Sequence, residues 1–93
     1  MSYPKKVTIS VPGTPFFLEV ELKKWDCNSD SAHCHVCNQK GSRFAKVILA
    51  DALFSRVPDG LSYRELRQIL DTVSANRHEL EMAYEHNRAY GLD

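Results

Sequence analysis

Phe16-Phe17-Leu18-Glu19-Val20-Glu21-Leu22-Lys23 decides the fold of this chain. Phe16, Leu18, Val20 and Leu22 fall on alternate positions, with Glu19, Glu21 and Lys23 between them. A two-residue period is the mark of a β-strand. One apolar and one polar row assign that strand to an antiparallel sheet with one face buried and one wet. Upstream, Val7, Ile9 and Val11 alternate with Thr8 and Ser10, and Pro12-Gly13-Thr14-Pro15 supplies turn chemistry between the two runs. The pair reads as a β-hairpin. Trp25 falls on the polar side of the return strand, placed to cap the sheet edge.

Beyond the hairpin, residues 26–32 are small, polar and without period, and read as a loop. A strand follows over the His/Cys run that ends at Cys37, then a turn over Asn38-Gln39-Lys40-Gly41-Ser42. Arg43 to Ala50 form the next strand, apolar at Ala45, Val47 and Leu49. Residues 51–60 are ambiguous between loop and a short strand within Leu53–Val57, and Pro58-Asp59-Gly60 stops whatever precedes it. Ser62-Tyr63-Arg64-Glu65 has the form of a capping box, and Leu66, Ile69, Leu70 and Val73 then repeat at helical spacing. The row resumes at Leu80, Ala83 and Tyr84 after an interruption at Arg77, and Asn76-Arg77-His78-Glu79 has the form of a second cap. A single helix over 62–89 would run roughly 42 Å at 1.5 Å per residue. A domain of this length has a radius of gyration of only about 12 Å. Two helices, or one sharply bent near 74–76, are therefore expected. The expected architecture is α+β: an antiparallel sheet of about four strands (within the usual range), one face covered by the C-terminal helices.

The 93 residues make one domain, mainly β over 1–57 and helical over 62–90. Twelve Lys and Arg balance twelve Asp and Glu. That balance removes a global electrostatic case for nucleic acid or an anionic membrane. The distribution is uneven: residues 1–47 carry seven basic side chains against four acidic, and 48–93 carry five against eight. No leader-like segment opens the sequence, no apolar run approaches a membrane span, and three cysteines suit a reducing compartment. A cytoplasmic protein is expected.

The chemistry-bearing residues concentrate in Ala32-His33-Cys34-His35-Val36-Cys37, with Cys27 upstream. On an extended backbone His33, His35 and Cys37 share one face, and Cys34 and Val36 the other. From His33 onward the chain resembles a family of small, uncharacterised bacterial proteins. The matching residues are His33-Cys34-His35-Val36, Gly41, Lys46-Val47-Ile48-Leu49, and Gly60-Leu61-Ser62-Tyr63-Arg64-Glu65-Leu66. Ile69-Leu70, Val73, Asn76-Arg77, Leu80, Ala83-Tyr84 and Tyr90-Gly91 continue the likeness. Members often carry Trp where this chain has Tyr84. The resemblance implies an α+β fold and, from gene pairs that look toxin–antitoxin-like, a regulatory or defence role. Cys27, Cys34 and Cys37 lie outside the family pattern.

Three uses of the cluster follow. The first is recognition of another protein without chemistry, with Phe17, Trp25, His33, His35, Arg43 and Lys46 as the binding surface, because aromatic side chains are favoured interface anchors. The second is a metal-independent ribonuclease toxin in which His33 and His35 act as acid and base on RNA, with Lys40, Arg43 or Lys46 holding the phosphate. The third is a zinc module built from Cys27, His33, Cys34 and Cys37, although Cys34-x-x-Cys37 lacks a second pair. A small cytosolic interaction protein, not an enzyme and needing no cofactor, is the preferred expectation.

Overall fold

In the computed structural model, which describes residues 3–29 and 31–93, the chain forms five strands and three helices. These are β1 (Thr8–Ser10), β2 (Phe17–Glu19), α1 (Lys24–Ser29), β3 (His33–Cys37), β4 (Arg43–Ile48), β5 (Leu53–Phe54), α2 (Tyr63–Ala75) and α3 (Arg77–Tyr90). The strands lie in sequence order in one sheet, and every neighbouring pair is antiparallel. The α+β class holds, with five strands where about four were expected. The extra one is the two-residue β5, at the ambiguous position that Leu53–Val57 occupied in the sequence.

Alternation sorts the sheet into two faces. Cross-strand rows such as Leu18–Val36–Ala45 and Cys34–Val47–Phe54 make the apolar face. They join Val20, Leu49, Ile69, Val73, Leu80, Ala83 and Tyr84 in one buried cluster. Both C-terminal helices thus turn their apolar stripes to the same face of the sheet. The helical reading of 62–90 holds in its two-helix form. Ser62 and Glu65 make the expected capping box: the Ser62 amide donates to Glu65 Oε1 at 2.9 Å, and the Glu65 amide to Ser62 Oγ at 3.1 Å. The break falls at Asn76, but not as the cap expected there. Its side-chain Nδ2 donates back to Thr72 O at 2.8 Å, so it closes α2 and leaves the start of α3 without a side-chain cap.

A helix, α1, takes the place of the first part of the loop expected over 26–32 and begins two residues before it. A six-residue helix is too short to show a period in sequence, so tertiary contact decides its conformation. Cys27 is its buried anchor, and the Tyr84 hydroxyl of α3 donates to Cys27 O at 2.8 Å. Trp25, expected at the sheet edge, is instead carried on α1 and is 70% exposed.

The end of α3 is stitched to the same region. Lys24 N–H donates to Leu92 O and Leu92 N–H to Leu22 O, both at 2.7 Å. Between them, a Cβ on Gly91 would sit 2.5 Å from the carbonyl oxygens of Asn87 and Leu22 and 2.8 Å from Lys24 N. All three obstacles are backbone, so none can swing aside. Gly91→Ala is expected to cost about 2 kcal/mol, in the range of overpacked sites, read as a lowered urea midpoint at unchanged slope.

Candidate functional site

The second face of the sheet is built from three cross-strand rows: Thr8, Glu19, His35 and Lys46; Ser10, Phe17, Cys37 and Arg43; and His33, Ile48 and Leu53, the first two making its polar part. The β3–β4 register skips one residue here, pairing Val36 with Ala45 but Cys37 with Arg43. Phe44 is the extra residue of this bulge, and its ring packs against Phe16 at 5.1 Å. Bulges re-aim neighbouring side chains. Arg43 here reaches across β3 to β2, two strand spacings of about 4.8 Å each. Its Nε donates to Glu19 Oε1 and its Nη1 to Glu21 Oε2, both at 2.6 Å.

Glu21 is the hub. Its side chain is only 3% exposed. It accepts from Lys23 N–H at 3.0 Å, from Arg43, and from His35 Nε2–H at 3.1 Å. Burial alone would raise its pKa, but the Lys23 amide and the Arg43 guanidinium outweigh burial and hold the carboxyl below its ordinary value. His35, 15% exposed at its side chain, is moved down by burial and by Arg43 and His33, against the opposing pull of Glu21. The His35–Glu21 contact near neutral pH is therefore a hydrogen bond from a neutral imidazole rather than an ion pair.

Both depressions act in one direction. Below the ordinary histidine value of 6.5 the unfolded chain takes up a proton that folded His35 resists, and below the ordinary glutamate value of 4.5 the same holds for Glu21. Stability tracks the difference in bound protons. It is expected to fall in two stages as pH drops from 7, and His35→Gln to remove the upper stage only, as read from urea midpoints across that range.

His33 shares the face of His35, with the rings edge-to-face at 5.0 Å, but its surroundings differ. It is 2% exposed, its Nδ1–H donates to Ser31 O at 2.8 Å, and its ring packs against Tyr84 at 5.2 Å. A ring so enclosed cannot exchange protons with a bound phosphodiester, so the expected acid–base pair of His33 and His35 is not available. The same enclosure removes His33 from the binding surface.

The cysteine set is likewise divided. Cys34 lies on the apolar face, Cys37 on the polar face and Cys27 on α1, all three buried as free thiols. Burial pushes Cys34 up to about 12 and, with Glu21 adding to it, Cys27 to about 11. Burial and the neighbouring Glu19 carboxylate push Cys37 to about 11. Metal ligation needs convergent thiolates, and Cys27, His33, Cys34 and Cys37 do not converge. Among the described residues no group of three His, Cys, Asp or Glu is placed to hold a metal ion.

Of the expected binding residues, the sheet thus brings together Phe17, His33, His35, Arg43 and Lys46 on one face, with His33 buried there, while Trp25 is carried on α1. Beside them lies an open groove of about 500 Å³ between β4 and the segment 55–59. His35, Arg43, Lys46 and Arg56 supply its polar lining, with Asp59 as its acid and Phe44, Val57 and Pro58 as apolar wall. Glu19, Glu21 and Arg56 were not among the expected site residues. Glu19 and Glu21 were legible, since two carboxylates on a wet strand face seek cationic neighbours on the next strands. Among the described residues no helix is long and apolar enough to cross a membrane. Comparison with known proteins gave no matching family model, no matching curated protein and no matching solved structure.

Proposed function

We propose that this is a small regulatory protein that acts by binding another protein through the polar sheet face and the groove beside it. The regulatory or defence setting is what the family resemblance implies. The observation that supports the docking face is the groove itself, where Arg43, Lys46 and Arg56 stand beside His35 against a single lining acid, Asp59. The network behind it is already satisfied: Arg43 and His35 are held by Glu19 and Glu21 before any partner arrives. Side chains fixed in advance lose little freedom on docking, which favours recognition. The partly exposed Phe17 lies on the same face and offers an apolar anchor.

Affinity capture from cell extract tests this reading. A specifically bound protein is expected that is lost with Arg56→Glu or Phe17→Ala and retained with Trp25→Ala. Loss with Trp25→Ala alone would move the interface to α1. Failure to capture any protein specifically would end the reading.

A further inference from the structure

β1 forms one edge of the sheet, and its bonds to β2 alternate. Val7 O accepts from Val20 N–H at 3.4 Å and Val11 N–H donates to Phe16 O at 3.0 Å, with Ile9 opposite Leu18 between them. Antiparallel strands bond toward one neighbour at every second residue. The N–H and C=O groups of Thr8 and Ser10 therefore point away from β2, and no group among the described residues bonds to them. Beside them runs an open groove of about 280 Å³, lined by Ile9, Ser10 and Pro12 of the edge and by Gln68, Asp71 and Ala75 of α2. The other edge is blunted: β5 is two residues long, and the backbone bends directly after it. Charge, proline and bulges are further ways to protect an edge. β1 has none of them from Thr8 to Ser10, and all three residues are at least partly exposed.

From this geometry we infer that β1 is a self-association edge: two copies of this chain pair β1 to β1, antiparallel, about a two-fold axis through Ile9. In that register Thr8 N–H donates to the carbonyl of the partner's Ser10, and Thr8 O accepts from the same residue's N–H. The axis repeats both bonds, so the outward groups of Thr8 and Ser10 are all matched in both strands. Lys6, next in the outward phase, comes opposite the partner's Pro12. That proline has no N–H to give, and its carbonyl already accepts from Gln68 Nε2 at 2.8 Å, so the ladder stops there. An edge bounded in this way fits another of the same length, which a second copy supplies. Side chains agree with the pairing. Thr8 lies beside the partner's Ser10 and Ile9 beside the partner's Ile9, so no like charges stand opposite each other. Ile9 packs on the helix-facing side of the sheet, and the partner's Ile9 thus enters the groove between the edge and α2. A helix in that groove would leave the edge amides unmatched. This surface is separate from the polar-face groove and does not depend on it.

Sedimentation equilibrium of the intact protein from micromolar to millimolar concentration is expected to show a reversible monomer–dimer equilibrium. Amide exchange at Thr8 and Ser10 should slow at least tenfold across that range. Thr8→Lys sets a charge at the seam on a position that is exposed in the single chain. It should weaken the dimer at least tenfold while leaving the urea midpoint of the dilute protein unchanged. Ile9→Cys tests the register. Residues facing each other in a non-hydrogen-bonded pair stand about 4.5 Å apart at Cα, within disulfide reach. Mild oxidation should therefore give a covalent dimer of Ile9→Cys and none of the unmodified protein, whose three thiols are buried. A monomer at every concentration, a dimer indifferent to Thr8→Lys, a dimer that Ile9→Cys does not cross-link, or exchange that slows elsewhere but not at Thr8 and Ser10 would each overturn the inference.

Discussion

Replacing Glu21 by alanine is expected to lower stability by about 3 kcal/mol. The carboxylate lies at the meeting point of three donors: the Lys23 amide, the Arg43 guanidinium and the His35 imidazole. Its removal leaves the part-buried Lys23 and His35 N–H groups without their acceptor. Each unmatched donor costs roughly 1–3 kcal/mol. Arg43 contributes less, because its side chain is 41% exposed and keeps Glu19 as a partner. Glu21→Gln separates charge from shape. Its amide oxygen can still accept from Lys23, so about half the loss is expected, together with disappearance of the acid limb of the pH–stability profile below 4.5. Urea denaturation at pH 7 and pH 4 distinguishes the two variants. Equal stability of Glu21→Ala and the unmodified protein would show that the hub contributes nothing.

A loss of similar size, about 3–4 kcal/mol, is expected for Asn87→Ala. Asn87 is fully buried on α3 and holds three backbone groups at once. Its Nδ2 donates to Lys5 O at 3.0 Å and to Glu21 O at 2.9 Å, and its Oδ1 accepts from Lys5 N–H at 2.6 Å. These bonds tie the segment before β1 and the segment after β2 to one helix. Alanine leaves the Lys5 N–H and Lys5 O without their partner and Glu21 O with only the Cys27 thiol at 3.6 Å, and buried polar groups that lose partners are among the recognised causes of large losses. Asn87→Asp is expected to be worse than alanine. It would bring a carboxylate against two carbonyl oxygens while withdrawing both donors, and a buried unpaired charge costs more than a missing bond. Thermal unfolding ranks the three proteins, and amide exchange at Lys5 should accelerate in both variants.

The fold was legible where local pattern and tertiary structure agree. The alternation of Phe16, Leu18 and Val20 reflects one buried side of β2 and the residues flanking it, and the Ser62–Glu65 cap needs only residues three apart. Helix length against domain size calls for a break between α2 and α3 without reference to any contact. The features that escaped are those set by distant parts of the chain. α1 is held by Tyr84, fifty-seven positions away, so nothing within 24–29 announces it. The enclosure of His33 depends on the same ring. Strand alternation placed His33 and His35 together correctly, but which of two residues on one face is covered is decided by what packs over the end of the strand. The skipped residue at Phe44 carries no signature in sequence, yet it fixes where Arg43 points.

The three sealed thiols give the molecule an internal clock for breathing. Sulfur is attacked as thiolate, and Cys27, Cys34 and Cys37 are each covered by a different neighbourhood: the helical corner, the apolar interior and the charged lattice over β3. Alkylation of each sulfur can proceed only as fast as its own cover lifts. Three labelling rates, resolved by mass spectrometry on one sample, would therefore rank which region opens first.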